Sequence, residues 1–396
     1  MPRVCYVGNV GPGSADHSTE NDIRRAFEYL GWTVDPVREI DFMRQIQRPR
    51  DWEALRERFL ASDLVLHTLT QGQYPAVDQV LGLWQACANA GVPTASVHLD
   101  LFYGLSSPKD AGPQRQDLPR LHPMFRVAHV FTADGDHDAE FERDGVNHHW
   151  LPPAVRHDEA RRIEPTAEDR VKYAGIDVAF IGSKGYHKEW PHRPEMIDRL
   201  RDQYGSRFAH IGGGADADLH GDDGGALRGE ALNRAYATIP VIVGDYCFAG
   251  QLDRYWSDRF FETWGRGGNL VFPHSQALAD LVPGIWSSSR GRGYPSWIIG
   301  DWDELFREVD GAIRNYDHPT CVRLCGEMQA WVAREHTYVN RVRTMLDVIG
   351  LPYGAQLLVE AEISAARLAT RRALIEAAER LEGAAAELRL QAEKVA

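Results

Sequence analysis

No run of apolar residues in this 396-residue sequence approaches the roughly 18 residues that a membrane-spanning helix requires. The N-terminus also lacks the basic region and long apolar stretch of a secretory signal peptide. The five cysteines are scattered, and Cys321 and Cys325 lie one helical turn apart without the His or Cys partners of a zinc site. These absences predict a cytoplasmic protein with reduced thiols and no membrane span.

Positive charge is also in short supply. The chain has 44 Lys and Arg residues against 57 Asp and Glu residues, a net charge of −13. A protein that binds nucleic acid mainly through phosphates is usually basic, so this balance disfavours that class while leaving a local basic cleft open. The hydrophobic fraction of 43% excludes disorder over most of the chain, and the length predicts two domains.

Several motifs of common enzyme classes are missing. No glycine loop matches G-x-G-x-x-G in its strand–helix context, and G-x-x-x-x-G-K-[ST] does not occur. Nicotinamide enzymes and P-loop nucleoside triphosphatases are therefore disfavoured. The histidines show no H-E-x-x-H or similar ligand spacing, so no zinc enzyme of that type is expected.

What the sequence does contain is two series of strands alternating with helices. Strands are predicted over residues 3–8, 32–37, 64–69, 94–99, 127–132 and 149–151, and then over 177–181, 208–211, 239–243 and 270–272. Helices are predicted over residues 18–30, 51–61, 77–89, 193–204, 257–264, 302–315 and 320–346, with Ser18 as the N-cap of the first. This alternation predicts an α/β fold with two Rossmann-like, doubly wound domains that face a cleft. We place them at residues 1–160 and 170–348.

A different composition follows residue 350. Residues 353–396 are rich in Ala, Leu, Glu and Arg, and Leu374, Leu381 and Leu388 are seven residues apart. This spacing predicts a long C-terminal helix with one apolar face. The helix either packs on its own chain or forms a short coiled coil in a homodimer, and the sequence leaves both open.

Glycine loops at strand ends point to a ligand in the cleft. They lie at residues 8–13, 182–183, 212–214 and 265–268, where backbone N–H groups can approach phosphate oxygens. The most informative stretch is residues 255–268, in which Arg259 and Glu262 share one helical face before a glycine-rich turn. The carboxylate can accept both ribose hydroxyls and the guanidinium can bind a diphosphate. The alternative is an ordinary surface Arg–Glu pair.

This stretch resembles the nucleotide-sugar site of GT-B glycosyltransferases, especially the CgeB-like (spore maturation protein B-like) group. Further resemblance lies in residues 177–182 followed by His192-Arg193, in residues 239–245 and in residues 335–341, and weaker similarity extends over residues 1–348. The resemblance implies a GT-B fold whose C-terminal half binds the donor. The implied donor-binding residues are Gly182, Ser183, Gly213, Tyr255, Ser257, Arg259, Glu262, Gly267 and Gly268.

The resemblance also implies roles for these residues. Glu262 would bind the ribose, while Ser257, Arg259 and the amides of Gly267 and Gly268 would bind the diphosphate. Gly182 and Ser183 would line the sugar, and Gly213 the base. Lys184 is a candidate second cation, although its flanking residues KGYHKEW depart from the commoner proline-containing loop.

The N-terminal half would then bind the acceptor. Asp100 follows a predicted strand, where a carboxylate can remove the acceptor proton, although an aspartate there can equally serve a turn. His17 is the second candidate base. An aspartate base on the acceptor side favours inversion of the sugar configuration over retention.

No metal ion is expected. Residues 134–136 and 216–218 both read D-x-D, the short pattern of metal-dependent GT-A transferases. Two successive α/β halves argue against that class. We therefore expect a metal-independent enzyme that needs no cofactor beyond its donor, a nucleoside-diphosphate sugar such as a UDP-sugar.

The predicted function is transfer of a sugar to a hydroxyl acceptor in the cleft. A glycan, a small metabolite and a modified DNA base all remain possible acceptors. DNA would need a basic rim, which Arg24, Arg25, Arg44, Arg48 and Arg50 can supply unless they form a solvated helix face. The alternative function is a two-lobed protein that binds a sugar or nucleotide without chemistry.

Overall fold

Two parallel β-sheets, one from each half of the chain, form the scaffold in a computed structural model. The structure describes residues 1–11, 18–68, 72–99, 101–103, 114–185, 192–221, 224–245, 252–283 and 294–353. Both sheets carry helices between successive strands, which confirms the predicted fold class of two doubly wound α/β units.

The first sheet has six strands in the order β2-β1-β3-β4-β5-β6, and every neighbouring pair is parallel. Its elements are β1 (Arg3–Gly8), α1 (Thr19–Tyr29), β2 (Thr33–Arg38), α2 (Glu39–Gln45), α3 (Pro49–Leu60), β3 (Leu64–Thr68), α4 (Val77–Asn89), β4 (Thr94–His98), α5 (Leu118–Leu121), β5 (His129–Thr132), α6 (Asp138–Arg143) and β6 (His148–Trp150).

The second sheet has five strands in the order β11-β10-β9-β7-β8, again all parallel. Its elements are α7 (Ala167–Lys172), β7 (Val178–Ile181), α8 (His192–Tyr204), β8 (Phe208–Ile211), α9 (Gly229–Thr238), β9 (Val241–Val243), α10 (Asp258–Gly265), β10 (Leu270–Pro273), α11 (Gln276–Leu281), β11 (Ser296–Trp297) and α12 (Trp302–Arg314), followed by α13 (Pro319–Glu335) and α14 (Tyr338–Ile349).

Local sequence explains these elements. Strands β3 and β4 are buried throughout, as expected where helices cover both faces of a parallel sheet. Helix α1 begins where predicted, because the Ser18 side chain accepts a hydrogen bond from the Asn21 amide at 3.2 Å. Helix α9 was not predicted, since it begins at a glycine without a side-chain cap.

The long helix predicted over residues 320–346 is wrong as a single element. It is two helices, α13 and α14, separated by His336 and Thr337. Thr337 and Asn340 form a capping box in which each side chain accepts from the other residue's backbone N–H. The T-x-x-N pattern therefore starts a new helix.

Helix α14 returns to the first sheet although it follows the second. Its buried residues Tyr338, Val342 and Met345 pack in one apolar cluster with Val4 and Phe27. Residues 151–166, between β6 and α7, form what we call the segment between the sheets. The Arg341 guanidinium binds this segment by donating to the Pro152 and Pro153 carbonyls at 2.7 and 3.0 Å. The range 170–348 thus includes a helix whose apolar face belongs to the other half.

Among the described residues, no helix is both long enough and apolar enough to cross a bilayer. The C-terminal segment proposed as a long helix or coiled-coil homodimer contact lies, from residue 354, outside the described residues.

Candidate functional site

Helix α10 carries the residues that the sequence singled out. One face is apolar and buries Phe260, Phe261 and Trp264 in the core of the second half. The helix begins after Ser257, whose hydroxyl donates to the Asp245 carbonyl. This contact fixes the N-terminus of α10 at the carboxyl ends of β7 and β9, two neighbouring strands.

Two arginines and one buried aspartate meet there, and we call Arg193, Asp245 and Arg259 the arginine cluster. Asp245 follows β9 and is fully buried. Its Oδ2 accepts from Arg193 Nε at 2.8 Å, and its Oδ1 lies 3.7 Å from Arg259 Nη1. Burial alone would raise the pKa of Asp245, but the two guanidiniums outweigh it and hold that pKa below its usual value.

Basic side chains converge on Asp245. Two guanidiniums share the Asp245 carboxylate, and His192 Nε2 lies 3.7 Å from it. The exposed Asp258 is 4.0 Å from Arg259 and adds only a weak, solvent-screened attraction. Arg259 remains 15% exposed, with its guanidinium 5.0 Å from the Phe180 ring centre. The arrangement suits an anion that binds the exposed part of Arg259.

Gly182 is required by this geometry. Arg259 Nε donates to the Ile181 carbonyl at 3.1 Å, which brings the guanidinium across the end of β7. A Cβ at Gly182 would stand 2.2 Å from Arg259 Nη2, and the φ of +140° is one that other residues rarely adopt. The glycine loop thus gives Arg259 its position.

Three carboxylates lie one turn further along α10, and we call Asp22, Glu159 and Glu262 the carboxylate cluster. They come from α1, from the segment between the sheets and from α10. Burial raises the pKa of Asp22 to about 7; Arg156 opposes this, while Glu262 and Glu159 add to it. Burial likewise raises the pKa of Glu262, although the Arg266 guanidinium lies 3.5 Å away.

Glu262 remains reachable despite this environment. Its side chain is 28% exposed, against 4% for the neighbouring Arg266. An ionised carboxylate accepts hydrogen bonds only, so paired hydroxyls are a natural partner. Arg259 and Glu262 together therefore present a cation and an acceptor one turn apart at the ends of the strands, where α/β sheets bind ligands.

The amides of Gly267 and Gly268 are engaged elsewhere. They donate to the Trp264 and Thr263 carbonyls at 3.0 and 2.9 Å and close the C-terminus of α10. The negative end of the helix dipole lies there, which disfavours a phosphate. A diphosphate on these two amides would need the end of α10 to open.

The other donor-side candidates serve the framework of the same region. The Ser183 carbonyl accepts from Arg193 at 3.2 Å, and Tyr255 is buried in the core of the second half. A Cβ on Gly213 would stand 2.9 Å from the Ala226 amide nitrogen. Lys184 pairs with Asp198 at 2.5 Å on the surface. Both candidate bases, Asp100 and His17, lie outside the described residues.

The two D-x-D patterns bind protein groups. Asp134 accepts from the Phe102 and Tyr103 amides at 3.1 and 3.0 Å. Asp136 accepts from the Arg254 amide at 3.0 Å and so joins the two halves of the chain. Asp218 accepts from Arg201 at 3.0 Å. Within the described residues, no group of three His, Cys, Asp or Glu residues could hold a metal ion.

Sequence reasoning missed several members of the site. Arg193 and Asp245 were quoted only for resemblance, and Glu159, Arg266 and Asp22 received no role. Four of them are buried and the Asp22 side chain is 15% exposed, and a charged residue in an otherwise apolar context is the signal that could have marked them. Their partners are far away in sequence, so no local spacing reveals the pairs.

Comparison with solved structures supports the same fold. The chain is similar to the Anabaena protein HepE in complex with UDP and glucose, at 11% identity and a TM-score of 0.55, over 88% of this chain and 100% of that one. It is also similar to an α-glucosyltransferase in complex with UDP, at 10% identity and a TM-score of 0.58 over 88% and 100% of the two chains.

A third similar structure is a UDP-forming α,α-trehalose-phosphate synthase from Burkholderia xenovorans. The identity is 11% and the TM-score 0.51, over 89% of this chain and 99% of that one. No family model and no curated protein matches the sequence. The neighbours establish that the chain has the GT-B fold, and at these identities they establish the fold alone.

Proposed function

We propose that the protein is a glycosyltransferase that moves a sugar from a nucleoside-diphosphate sugar to a hydroxyl acceptor in the cleft between the sheets. One observation carries the proposal: Arg259 and Glu262 lie one turn apart on α10, at the carboxyl ends of β7 and β9. The cation suits a diphosphate and the carboxylate suits the ribose hydroxyls. Two of the GT-B structures similar to this one are UDP complexes.

In this proposal, the arginine cluster supplies the electrostatic part of catalysis. Negative charge develops on the diphosphate as the bond to the sugar breaks, and a guanidinium held in place by Asp245 can stabilise it without reorganisation. Asp100, or alternatively His17, would accept the acceptor proton. The donor is a UDP-sugar and the enzyme needs no metal. The resemblance of residues 255–268 to the CgeB-like group supports membership of that group.

The acceptor is proposed to be a glycan or a small metabolite rather than DNA. Similar structures include α-glucosyltransferase complexes with DNA. Here, four of the five arginines that could form a basic rim have a carboxylate within 4 Å on the same helix or at its start. They are Arg24, Arg25, Arg44 and Arg48, at 2.6, 3.5, 3.6 and 3.7 Å from their partners. Paired surface charges leave little net attraction for phosphates.

The test combines donor binding with a product assay. We expect Glu262→Ala to weaken UDP binding by about 1–3 kcal/mol in calorimetry, because a charge-assisted hydrogen-bond acceptor is lost. Glu53→Ala, which removes the exposed partner of Arg56, is the matched control and should leave UDP affinity unchanged. Equal affinities for wild type and Glu262→Ala would contradict the assigned donor site.

The product assay separates the enzyme from a binding protein of the same shape. The protein is incubated with UDP-sugars and with glycan, metabolite and hydroxymethylated-DNA acceptors, and products are identified by mass spectrometry. Transfer to an acceptor or slow donor hydrolysis supports the enzyme. UDP-sugar binding without any turnover would favour the non-catalytic two-lobed protein, and sugar transfer to DNA would overturn the acceptor proposal.

A further inference from the structure

Arg266 is the C-cap residue of α10 and is almost completely buried. Its Nη1 donates to the Asn233 side-chain oxygen and its Nη2 to Glu159 Oε2. The same Nη2 lies 3.5 Å from Glu262 Oε1. The Arg266 guanidinium thus contacts three side chains: the Asn233 amide, the Glu159 carboxylate of the segment between the sheets, and the Glu262 carboxylate that we propose binds the donor.

The two carboxylates hold Arg266 unequally. Glu159 makes a direct hydrogen bond, whereas Glu262 forms an ion pair at a distance beyond good hydrogen-bond length. The backbone around Glu159 is fixed, because the Asn233 side chain donates to the Glu159 and Arg161 carbonyls at 2.9 and 2.7 Å. Arg266 is therefore bound mainly by the segment between the sheets.

That segment leads on to the first half of the chain. Arg156 Nη2 lies 2.7 Å from Glu159 Oε1, so Glu159 bridges two guanidiniums. The positive charge of Arg156 in turn lowers the pKa of Asp22 on α1, against the effect of burial. A chain of alternating charges thus runs from Glu262 through Arg266, Glu159 and Arg156 to Asp22.

Groups from five elements or segments set the charge around Glu262. Asp258, Arg259 and Arg266 belong to α10 or its end, Glu159 to the segment between the sheets, Asp22 to α1, Tyr236 to α9 and Tyr338 to α14. Burial by itself lowers the pKa of Arg266. Glu262 and Glu159 raise that pKa by more, so the guanidinium stays charged. Among the cations near Glu262, Arg266 does most to oppose the effect of burial on the pKa of Glu262.

We propose that Arg266 is a positioning residue shared between Glu262 and Glu159, so that the donor-binding carboxylate and the segment between the sheets compete for one guanidinium. The inference rests on the proposed role of Glu262 in donor binding. Ribose hydroxyls bind the ionised carboxylate and thereby favour the charge state of Glu262 that attracts Arg266, which weakens the Glu159 contact. Donor binding thereby acts on the segment that joins the two halves.

Two substitutions test the competition because they act in opposite directions. Glu159→Gln keeps the shape of the side chain, removes a negative charge next to Glu262 and frees Arg266. Arg266→Gln removes the cation, and Arg266→Lys restores charge without the paired geometry. The control is Arg161→Gln, which breaks an exposed pair with Glu230 in the same segment.

The readout is the dissociation constant of UDP, measured by calorimetry between pH 5 and 8.5. In wild type, affinity should fall as pH drops through the raised pKa of Glu262. Glu159→Gln should move the midpoint of this fall down by about one pH unit, with UDP bound up to tenfold more tightly at the acid end. Arg266→Gln should move it up by a similar amount, with partial recovery in Arg266→Lys.

Midpoints that stay in place, or that move in the same direction in Glu159→Gln and Arg266→Gln, would overturn the proposal. If Arg266→Gln does not fold, the downward shift in Glu159→Gln against an unchanged Arg161→Gln still decides. A second readout does not need the donor. It is the pH titration of the Glu262 carboxyl ¹³C NMR signal, which is assigned as the signal missing from Glu262→Gln. If wild type binds no UDP, the proposed donor function is wrong. Shifts of the Glu262 titration in opposite directions in Glu159→Gln and Arg266→Gln would still support the sharing of Arg266. A titration that does not shift would refute it.

Discussion

Both sheets end in buried polar side chains, but the chemistry differs between the two halves. Around the first sheet, His67 at the end of β3 and Tyr74 after it are buried with Glu39, and the Tyr74 hydroxyl contacts both of the other side chains. Burial holds the pKa of His67 well below its usual value, so the imidazole is neutral. In the second half, the guanidiniums of Arg193 and Arg266 are buried against carboxylates.

This difference bears on ligand chemistry. Burying a guanidinium costs free energy unless hydrogen bonds or a carboxylate compensate it, and the arginine cluster places two guanidiniums on one carboxylate. Two guanidiniums at one carboxylate fit the anionic diphosphate of the donor that we propose. In the first half, burial keeps the His67 imidazole and the Tyr74 phenol uncharged. The donor role that we propose for the second half rests on its guanidiniums.

The largest expected effect is on the arginine cluster. Arg259→Gln should weaken UDP binding about 100-fold, since a charge-assisted hydrogen bond to a phosphate is lost. Arg323→Gln, which breaks an exposed pair with Glu327 on α13, should leave UDP affinity unchanged. Calorimetric titration with UDP measures both. An unaltered affinity in Arg259→Gln would mean that the cluster is structural and that the contrast between the halves has no bearing on the donor.

The next effect concerns the place where the halves meet. The pKa of Asp22 is raised from 3.8 to about 7 in the folded state, so its ionisation costs stability as pH rises through that range. Arg156, Arg25, Glu159, Glu262, Tyr6 and Tyr338 are the charged or titratable groups around it. Between pH 5 and 8 this cost reduces the free energy of unfolding by roughly 2 kcal/mol.

Asp22→Asn lacks this cost. Its melting temperature should therefore gain a few degrees relative to wild type as pH is raised from 5 to 8, measured by calorimetric melting. Asp51→Asn, at an exposed pair with Arg48, should show no such trend. A difference between Asp22→Asn and wild type that does not change with pH would contradict the buried, protonated aspartate.

A smaller effect is expected in the first half. The Tyr74 hydroxyl donates to Glu39 and lies 2.7 Å from His67 Nε2. Tyr74→Phe leaves both partners buried without this group, so the free energy of unfolding should fall by about 1–2 kcal/mol in urea titration. Tyr29→Phe, at a half-exposed site, is the control. UDP affinity should stay unchanged in Tyr74→Phe. A loss of UDP binding would show that the polar network of the first half is coupled to the proposed donor site in the second half.

The sequence alone determined the alternation of strands and helices and the position of α10. Hydrophobic periodicity and caps are local, and the Ser18 cap and the R-x-x-E spacing of α10 were readable because their partners are within one turn. The same locality marked Gly182, whose loop follows β7. These features led to the fold and to two residues of the proposed donor site.

Tertiary structure decided which charges meet. Arg266 and Glu159 are 107 residues apart, Arg193 and Asp245 are 52 apart, and α14 crosses back to the first sheet. No sequence spacing encodes such pairs, because each depends on how helices and strands from both halves pack. The fully buried Asp245 is stable only as an ion pair, and only the folded chain brings two guanidiniums to it.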